Sequence, residues 1–412
     1  MGGLPREGTT RLMLFFAVVY AVEGLGQAKS GIIGQPLTYF LKETRGWGPL
    51  EIAASLAVVD LPWVVKPIYG LISDFLPLGG FRRRPYLLLS ALCASAAFFW
   101  VGLFAGNAGL VPALVGVSIG MAFASTVCGA LLVENGQRLN ATSVFVNQQW
   151  IWFNIAAVAA ALTGGWLTGR LAAETALRTA ALIAGVAPLA LIPVLGLVAE
   201  ERATIDRAGL AAGGRALLAA FGSRDLWLIA GFLFLYYFSP GFGTPLYFEL
   251  TDKLGFSQGY IGFLSAATAL GWVAGGLIYR YALARVEARK LLTLSLLFGA
   301  ASTLAYLGLV DRISAVAIYF TGGVAGMIAN TATFSLAAAH CPKRAEGFTF
   351  AAMMSIINFA HPLADTVGAA LYEHVFGGRM APLILVSTAS TLAILVLVPL
   401  VSDRPGESFS KP

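Results

Sequence analysis

The sequence predicts an all-α membrane protein, with twelve transmembrane helices in two six-helix halves and both termini in the cytoplasm. Three observations predict it. Of 412 residues, 58% are hydrophobic and only 12% charged, where a soluble domain carries about 25%. Apolar stretches of about 20 residues, the length that crosses a hydrocarbon core, recur from end to end. These stretches lack the alternation of a barrel, and an open sheet cannot satisfy its backbone in lipid.

The spans are predicted at about 12–41, 50–75, 85–105, 109–134, 142–169 and 176–198, then 226–250, 257–281, 290–309, 313–338, 346–374 and 380–401. Residues 1–198 form the first half and 226–401 the second, with a cytoplasmic tail at 402–412. The linker between them, 199–225, reads as a short amphipathic helix lying at the membrane surface. The opening "MGGLPREGTTR" has no cleavage site, and Arg6 stands where a myristoylation motif needs Ser or Thr. No lipid anchor is expected.

Orientation follows from the 27 Lys and Arg residues. Seven (Lys42, Arg45, Arg170, Arg178, Lys253, Arg312 and Arg379) fall in one set of loops, two (Lys29 and Lys66) fall inside spans, and the remaining 18 fall on the other side. That richer side is cytoplasmic. The net charge of +6 is therefore a topological signal, and no nucleic-acid partner is expected. Three cysteines, Cys93, Cys128 and Cys341, make no disulfide framework and read as small buried residues.

The halves repeat. "GLI" at 70–72 returns at 276–278, and "GVSIG" at 116–120 returns as "GGVAG" at 322–326, both offset by 206 residues. "GQPLTYF" at 34–40 is echoed by "GTPLYF" at 243–248. An even number of spans per half inserts both copies the same way, the parallel repeat of a major-facilitator-type carrier.

Those residues carry a resemblance. "LPWVVKPIYGLISDFLPLGGFRRRPYL", from residue 61, is similar to the second-helix signature of the folate–biopterin transporter family of the major facilitator superfamily. The likeness continues through "ALLVENGQR", "FVNQQWIWFNIAAV", "YFELTDKLGFSQGYIG" and "CPKRAEGFTFAAMMSIINFA". It implies alternating-access transport of a folate- or pterin-like organic solute, with proton coupling, by a monomer in the cell (inner) membrane. Two departures stand out. Ser125 and Gly129 occupy places where the family's fourth helix often holds aspartates, and "SPGFGTP" lacks the seventh-helix acid. The solute accordingly stays open between a folate or pterin, a zwitterion or cation such as S-adenosylmethionine, and a muropeptide.

Candidate site residues are the ionisable and amide groups inside spans, where desolvation makes each one costly. Lys66, about 12 Å along the helix from Asp74, reads either as snorkelling to the surface or as a cavity lysine holding a carboxylate. Pro62 and Pro67 bracket it and predict a kink. Glu23, about 16 Å into its span, and Asp60, about 15 Å into the next, both reach the midplane. Gln27 shares the face of Glu23, whereas Lys29 is turned roughly 120° away. Glycines 24, 26, 31 and 34 with Pro36 predict an interrupted helix, and "SPGFGTP" at 239–245 predicts its counterpart. Paired interruptions point to a binding site. Asn147 and its neighbours Gln148, Gln149, Trp150 and Asn154 suit either a cavity wall or interfacial anchoring.

Asn358, His361 and Asp365 form one stripe at i, i+3 and i+7. They suit a proton relay or a static interhelical cluster equally; Glu23 is the other candidate proton carrier. Asp74 and the triplet Arg82, Arg83 and Arg84, with Glu134 and Glu346, are the expected gating charges, pairs that close one face and must break when it opens. Arg280, Arg285 and Arg289 form their looser copy. The "GVSIG" stretch matches a hydrolase elbow, but that motif needs a strand–turn–helix with an exposed serine. Ser118 lies instead within a predicted span. No enzyme activity, cofactor or metal site is expected; the rival class, an intramembrane enzyme, would use Ser118 or His361.

Overall fold

The computed structural model describes residues 7–402, apart from 105–108, 140, 206–208, 210, 213, 216–221, 223, 284 and 340–345. The surface helix expected in the linker falls largely outside the described residues. Every named element is helical, and among the described residues ten helices are long and apolar enough to cross a membrane. Large apolar side chains stand exposed along them, Ile313 at 82% and Val396 at 77%. An aqueous surface does not tolerate such a coat, whereas lipid does.

Two expected spans are not among the ten. The seventh is cut short, and the eleventh is diluted by Asn358, His361, Pro362 and Asp365. Both are helical all the same. The chain divides into two compact units, Met1–Gly46 with Val58–Arg215, and Trp47–Ala57 with Ala216–Pro412.

In the first unit, α1 (Glu7–Gly26) stops at a turn before α2 (Gly34–Glu43) resumes, which is the predicted interruption. The freed backbone is satisfied within the turn: Ile32 N–H donates to Leu25 O at 3.0 Å and Gly31 N–H to Gln27 O at 2.9 Å. A Cβ on Gly31 would lie 2.3 Å from Leu25 O, so the turn closes only around glycine. The second span breaks at Val65, between α3 (Pro49–Val64) and α4 (Lys66–Phe75). Pro67 cannot donate a backbone hydrogen bond, which explains a break at its place in the helix. Four further helices complete the unit: α5 (Arg84–Phe104), α6 (Leu110–Leu139), α7 (Thr142–Arg170) and α8 (Ala173–Val186). α1 lies along α7, and α5 along α6. At the α5–α6 crossing a Cβ on Gly120 would meet Ser90 O at 2.7 Å. The "GVSIG" stretch is therefore a packing seam inside a helix, as small residues are in membranes.

In the second unit, α9 (Arg224–Tyr237) ends at residues 238–242 before the short α10 (Gly243–Phe248). Then follow α11 (Gln258–Ile278), α12 (Ala288–Ala305), α13 (Arg312–Ala339), α14 (Glu346–Ala370) and α15 (Met380–Ala393). The α9–α10 break rests on α14. Gly241 N–H donates to Ala364 O at 2.8 Å, and a Cβ on Gly368 would fall 1.6 Å from Gly241 O. The start of α3 also belongs here, with Leu50 N–H donating to Glu373 Oε1 at 2.7 Å.

Gly368→Ala must therefore push two backbones apart, and it should destabilise the protein by about 1–3 kcal/mol. Gly276→Ala adds a methyl that meets only the Met327 side chain at 3.5 Å. It should be neutral or stabilising by up to about 1 kcal/mol. Thermal unfolding of both variants in detergent checks the contrast.

Candidate functional site

Three elements of the first unit bring charge together inside the spans. Glu23 sits in the last turn of α1, Lys66 opens α4 at the helix break, and Ser125 lies mid-way along α6. Ser125 Oγ donates to Glu23 Oε1 at 2.9 Å and accepts from Lys66 Nζ at 3.2 Å. The ammonium thus reaches the carboxylate through a hydroxyl. Glu23 Oε2 is buried with no hydrogen-bond partner among the described residues, and so is Tyr20 Oη one turn earlier. The Lys66 ammonium also lies 4.6 Å from the Trp63 ring centroid, a cation–π contact that favours a charge held away from water.

A second pair lies nearby in sequence. Lys29, in the turn after α1, places Nζ 3.7 Å from Asp60 Oδ2 of α3. Gln27 Oε1 accepts from Ser30 Oγ at 2.5 Å and closes the same turn. Six of the seven predicted binding residues therefore belong to the first unit; Glu23 and Lys66 are joined through Ser125, and Lys29 with Asp60. The Asn147 side chain lies outside the described residues. Its neighbours are satisfied locally: Asn154 donates to Trp150 O at 2.7 Å, and Trp152 donates to Gln148 Oε1 at 2.7 Å.

The polar stripe of α14 is in the other unit. His361 is exposed, and its ring packs against Tyr237 at 4.7 Å between centroids. The Tyr237 hydroxyl pairs with Thr333 at 2.6 Å. Asp365 borders the α9–α10 break, where a Cβ on Gly241 would meet Asp365 Oδ1 at 2.3 Å. Asn358 lies two turns before it on α14 and is partly buried.

The arginine loop behaves as a built joint. Arg83 is 5% exposed, and its guanidinium pairs with Asp74 Oδ1 at 2.6 Å, with Glu134, and with Ser73 Oγ at 2.7 Å. Burial opposes the charge, but the two carboxylates outweigh it and hold the guanidinium above its ordinary pKa. Arg82 contributes backbone instead, and Arg84 contributes backbone and a guanidinium N–H that donates to Val198 O. The amides of Arg82, Arg83 and Arg84 all point at the Glu200 carboxylate, Arg83 N–H at 2.6 Å and Arg84 N–H at 3.1 Å. The Glu346 side chain lies outside the described residues.

Sequence reasoning missed Tyr20, Trp63, Glu200 and the bridging role of Ser125. Tyr20 and Trp63 stand three residues before Glu23 and Lys66, a same-face spacing that could have found them. Glu200, the first acid after the sixth span, carried no motif.

The chain's likeness to known proteins agrees with this geometry. A family model described as the BT1 family matches residues 24–408. A folate-biopterin transporter of Synechocystis sp. is 28% identical over 401 residues, covering 92% of this chain and 79% of that protein. An Arabidopsis thaliana protein named "Probable folate-biopterin transporter 2" is 25% identical over 369 residues, covering 82% and 72%. Among solved structures, a D-xylose-proton symporter superposes with a TM-score of 0.73 at 13% identity, covering 94% of this chain and 97% of its own. The nucleoside transporter NupG gives 0.70 at 13%, covering 96% and 98%. At such identities the structures speak for the fold alone, which is that of the major facilitator transporters.

Removing the Arg83 side chain strands two carboxylates that remain partly solvated. Arg83→Ala should cost about 1–2 kcal/mol. Arg83→Lys should recover less than half, because a point charge cannot serve two carboxylates and a hydroxyl from one fork. Melting temperatures of the purified variants test this.

Proposed function

The chain belongs to the BT1 family, and on that premise we propose that it is a proton-coupled secondary transporter working by alternating access. It has twelve spans with both termini cytoplasmic, acts as a monomer in the cell (inner) membrane, and carries a small organic solute. The names of its relatives make a folate or pterin the first solute to test. The observation that carries the reading is the Glu23–Ser125–Lys66 chain, an acid and a base partly buried in spans with one carboxylate oxygen unpartnered among the described residues. Charges kept inside a membrane at such expense are functional by default.

Glu23 is the proton carrier in this reading. His361 is exposed and packs at a tilt against Tyr237, so the α14 stripe serves as a static cluster that braces the α9–α10 break. Glu23, Gln27, Asp60, Lys29 and Lys66 bind the solute with Asn147 and Asn358. The interrupted helices of both units support that placement, because unwound backbone inside a membrane is kept where it lines a cavity. Asp74, Arg83 and Glu134 gate the cytoplasmic face with Arg82, Arg84 and Glu346. In the first unit the intramembrane acids Glu23 and Asp60 are balanced by Lys29 and Lys66. That balance suits an anionic solute that arrives with a proton better than it suits a cation.

Reconstituted into proteoliposomes, the protein should accumulate radiolabelled folic acid when the interior is made alkaline. A protonophore should abolish the accumulation. Glu23→Gln should lose uphill uptake yet keep exchange of internal for external solute, while His361→Ala should retain uptake within about threefold. Accumulation that ignores the pH gradient would overturn proton coupling. Uphill uptake retained by Glu23→Gln and lost by His361→Ala would move the proton to α14.

A further inference from the structure

A hydroxyl placed between an ammonium and a carboxylate has one self-consistent arrangement of protons. Ser125 gives its only hydrogen to Glu23 Oε1 at 2.9 Å and receives Lys66 at 3.2 Å on a lone pair. The chain is neutral as a whole, with one negative and one positive end. Two valences stay open: Glu23 Oε2 has no partner, and Lys66 keeps N–H capacity beyond its contacts with Ser125 and the Trp63 ring.

The groups around Glu23 leave few other places for a proton. On its own helix Tyr20 stands one turn away, and on α6 Cys128 lies one turn beyond Ser125, both buried. Beside Gly24, where α1 meets α7, lie Phe153, Ala156 and Ala157, none of them ionisable. The stretch 187–197 that packs on α1 is apolar throughout, and on α8 Arg178 is paired with Glu174 at 2.6 Å. Lys29, just past the end of α1, is matched with Asp60. Lys66 is therefore the cation whose balance depends on the charge state of Glu23.

We infer that Glu23, Ser125 and Lys66 form a charge-exchange site in which protonation of Glu23 makes Lys66 the seat of an anionic oxygen of the solute. This rests on the transporter reading above and adds to it the substrate feature and the stoichiometry at this site. The incoming proton forms an O–H bond at Oε2, and the carboxyl becomes neutral. Lys66 remains an ammonium and is left without a counter-charge in a buried site. A carboxylate of the solute replaces the lost charge. One proton and one negative charge have entered, and the site is neutral before and after. In reverse, departure of the anion exposes Glu23 to an unbalanced Lys66 and drives the proton off. Each ligand thus favours the other, and the favour is mutual by linkage.

Trp63 gives the ammonium a face to rest on when Glu23 goes neutral, so Lys66 need not swing out toward water. Ser125 is a positioning residue. As a hydroxyl it can turn its hydrogen as the charge on the carboxylate changes, while a lone pair still receives Lys66. An aspartate at this position would fix a charge there and end the exchange.

The test uses the full-length protein in nanodiscs, with pteroic acid as a one-carboxylate probe and pterin as a probe with none. In weakly buffered solution with a pH indicator, pteroate binding by the parent should take up close to one proton, and pterin binding none. Glu23→Gln should bind pteroate with a dissociation constant that varies less than about threefold between pH 5.5 and 8, with no proton uptake. Lys66→Ala should lose about tenfold or more in pteroate affinity and at least several-fold less than that for pterin. Ser125→Ala should keep binding but take up distinctly less than one proton, and Ser125→Thr should restore it. Pteroate binding without proton uptake in the parent, or with equal uptake in Glu23→Gln, overturns the proposal.

An infrared titration separates this from failure of the transporter reading, because it needs no solute. A protonated-carboxyl band should be absent in Glu23→Gln and should persist to higher pH, by about one pH unit or more, in Lys66→Ala. It should be unchanged in Ser118→Ala. A band unaffected by Lys66→Ala overturns the charge exchange whatever the probes do. The expected shift without binding of either probe upholds it and removes pterins as the solute.

Discussion

A polar group inside hydrocarbon has to be answered by another group of the same chain, because no water is there to answer it. That demand organises the molecule. Where α1 stops, Leu25 O and Gln27 O receive the N–H groups of Ile32 and Gly31. Where α9 stops, Gly241 N–H finds Ala364 O on a neighbouring helix. Charges obey the same rule: Lys66 is met by Ser125 and Trp63, Glu23 by Ser125, and Lys29 by Asp60. Glu23 Oε2, without a hydrogen-bond partner among the described residues, stands out against this background.

Much of this was legible in the residues. Span-length apolar stretches, the arginine-ended second helix and the duplicated glycine seams each have a one-dimensional signature. The two helix interruptions were readable because glycine and proline act locally. Lys66 and Glu23 announced themselves as charges in apolar runs. Their connection did not, since it passes through Ser125 on a third helix 59 residues after Lys66. A serine mid-helix more often bonds its own backbone, as Ser355 does with Ala351 O. For the α14 stripe, spacing puts Asn358, His361 and Asp365 on one face and leaves relay and static cluster open; packing adds that His361 lies exposed against Tyr237.

In the loop between the second and third spans the three arginines divide their labour. A charge count treats them alike, yet Arg83 alone buries its guanidinium among Asp74, Glu134 and Ser73. The loop's amides bind the Glu200 carboxylate at the N-terminus of α5, where backbone N–H groups lack helical partners and favour negative charge. Arg84 extends the joint to Val198 O, and Ala203 N–H extends it to Gly80 O at 2.9 Å. The chain leaving the sixth span is thereby pinned to the loop between the second and third. The acidic partner that the triplet conceals is one that a gating motif alone could not reveal.

The seat of the α9–α10 break on Gly368 limits how that unit can move. Backbone lies on backbone there, with no side chain between to deform. Sliding α14 along its axis would break the Gly241 N–H bond to Ala364 O and bring side chains of the same helix face, about one turn away, toward the carbonyl in place of hydrogen. A piston stroke of one helix past the other is thus barred at its first step. Whatever rearrangement this part of the molecule undergoes must carry the α9–α10 elbow and its α14 rail together as a single block.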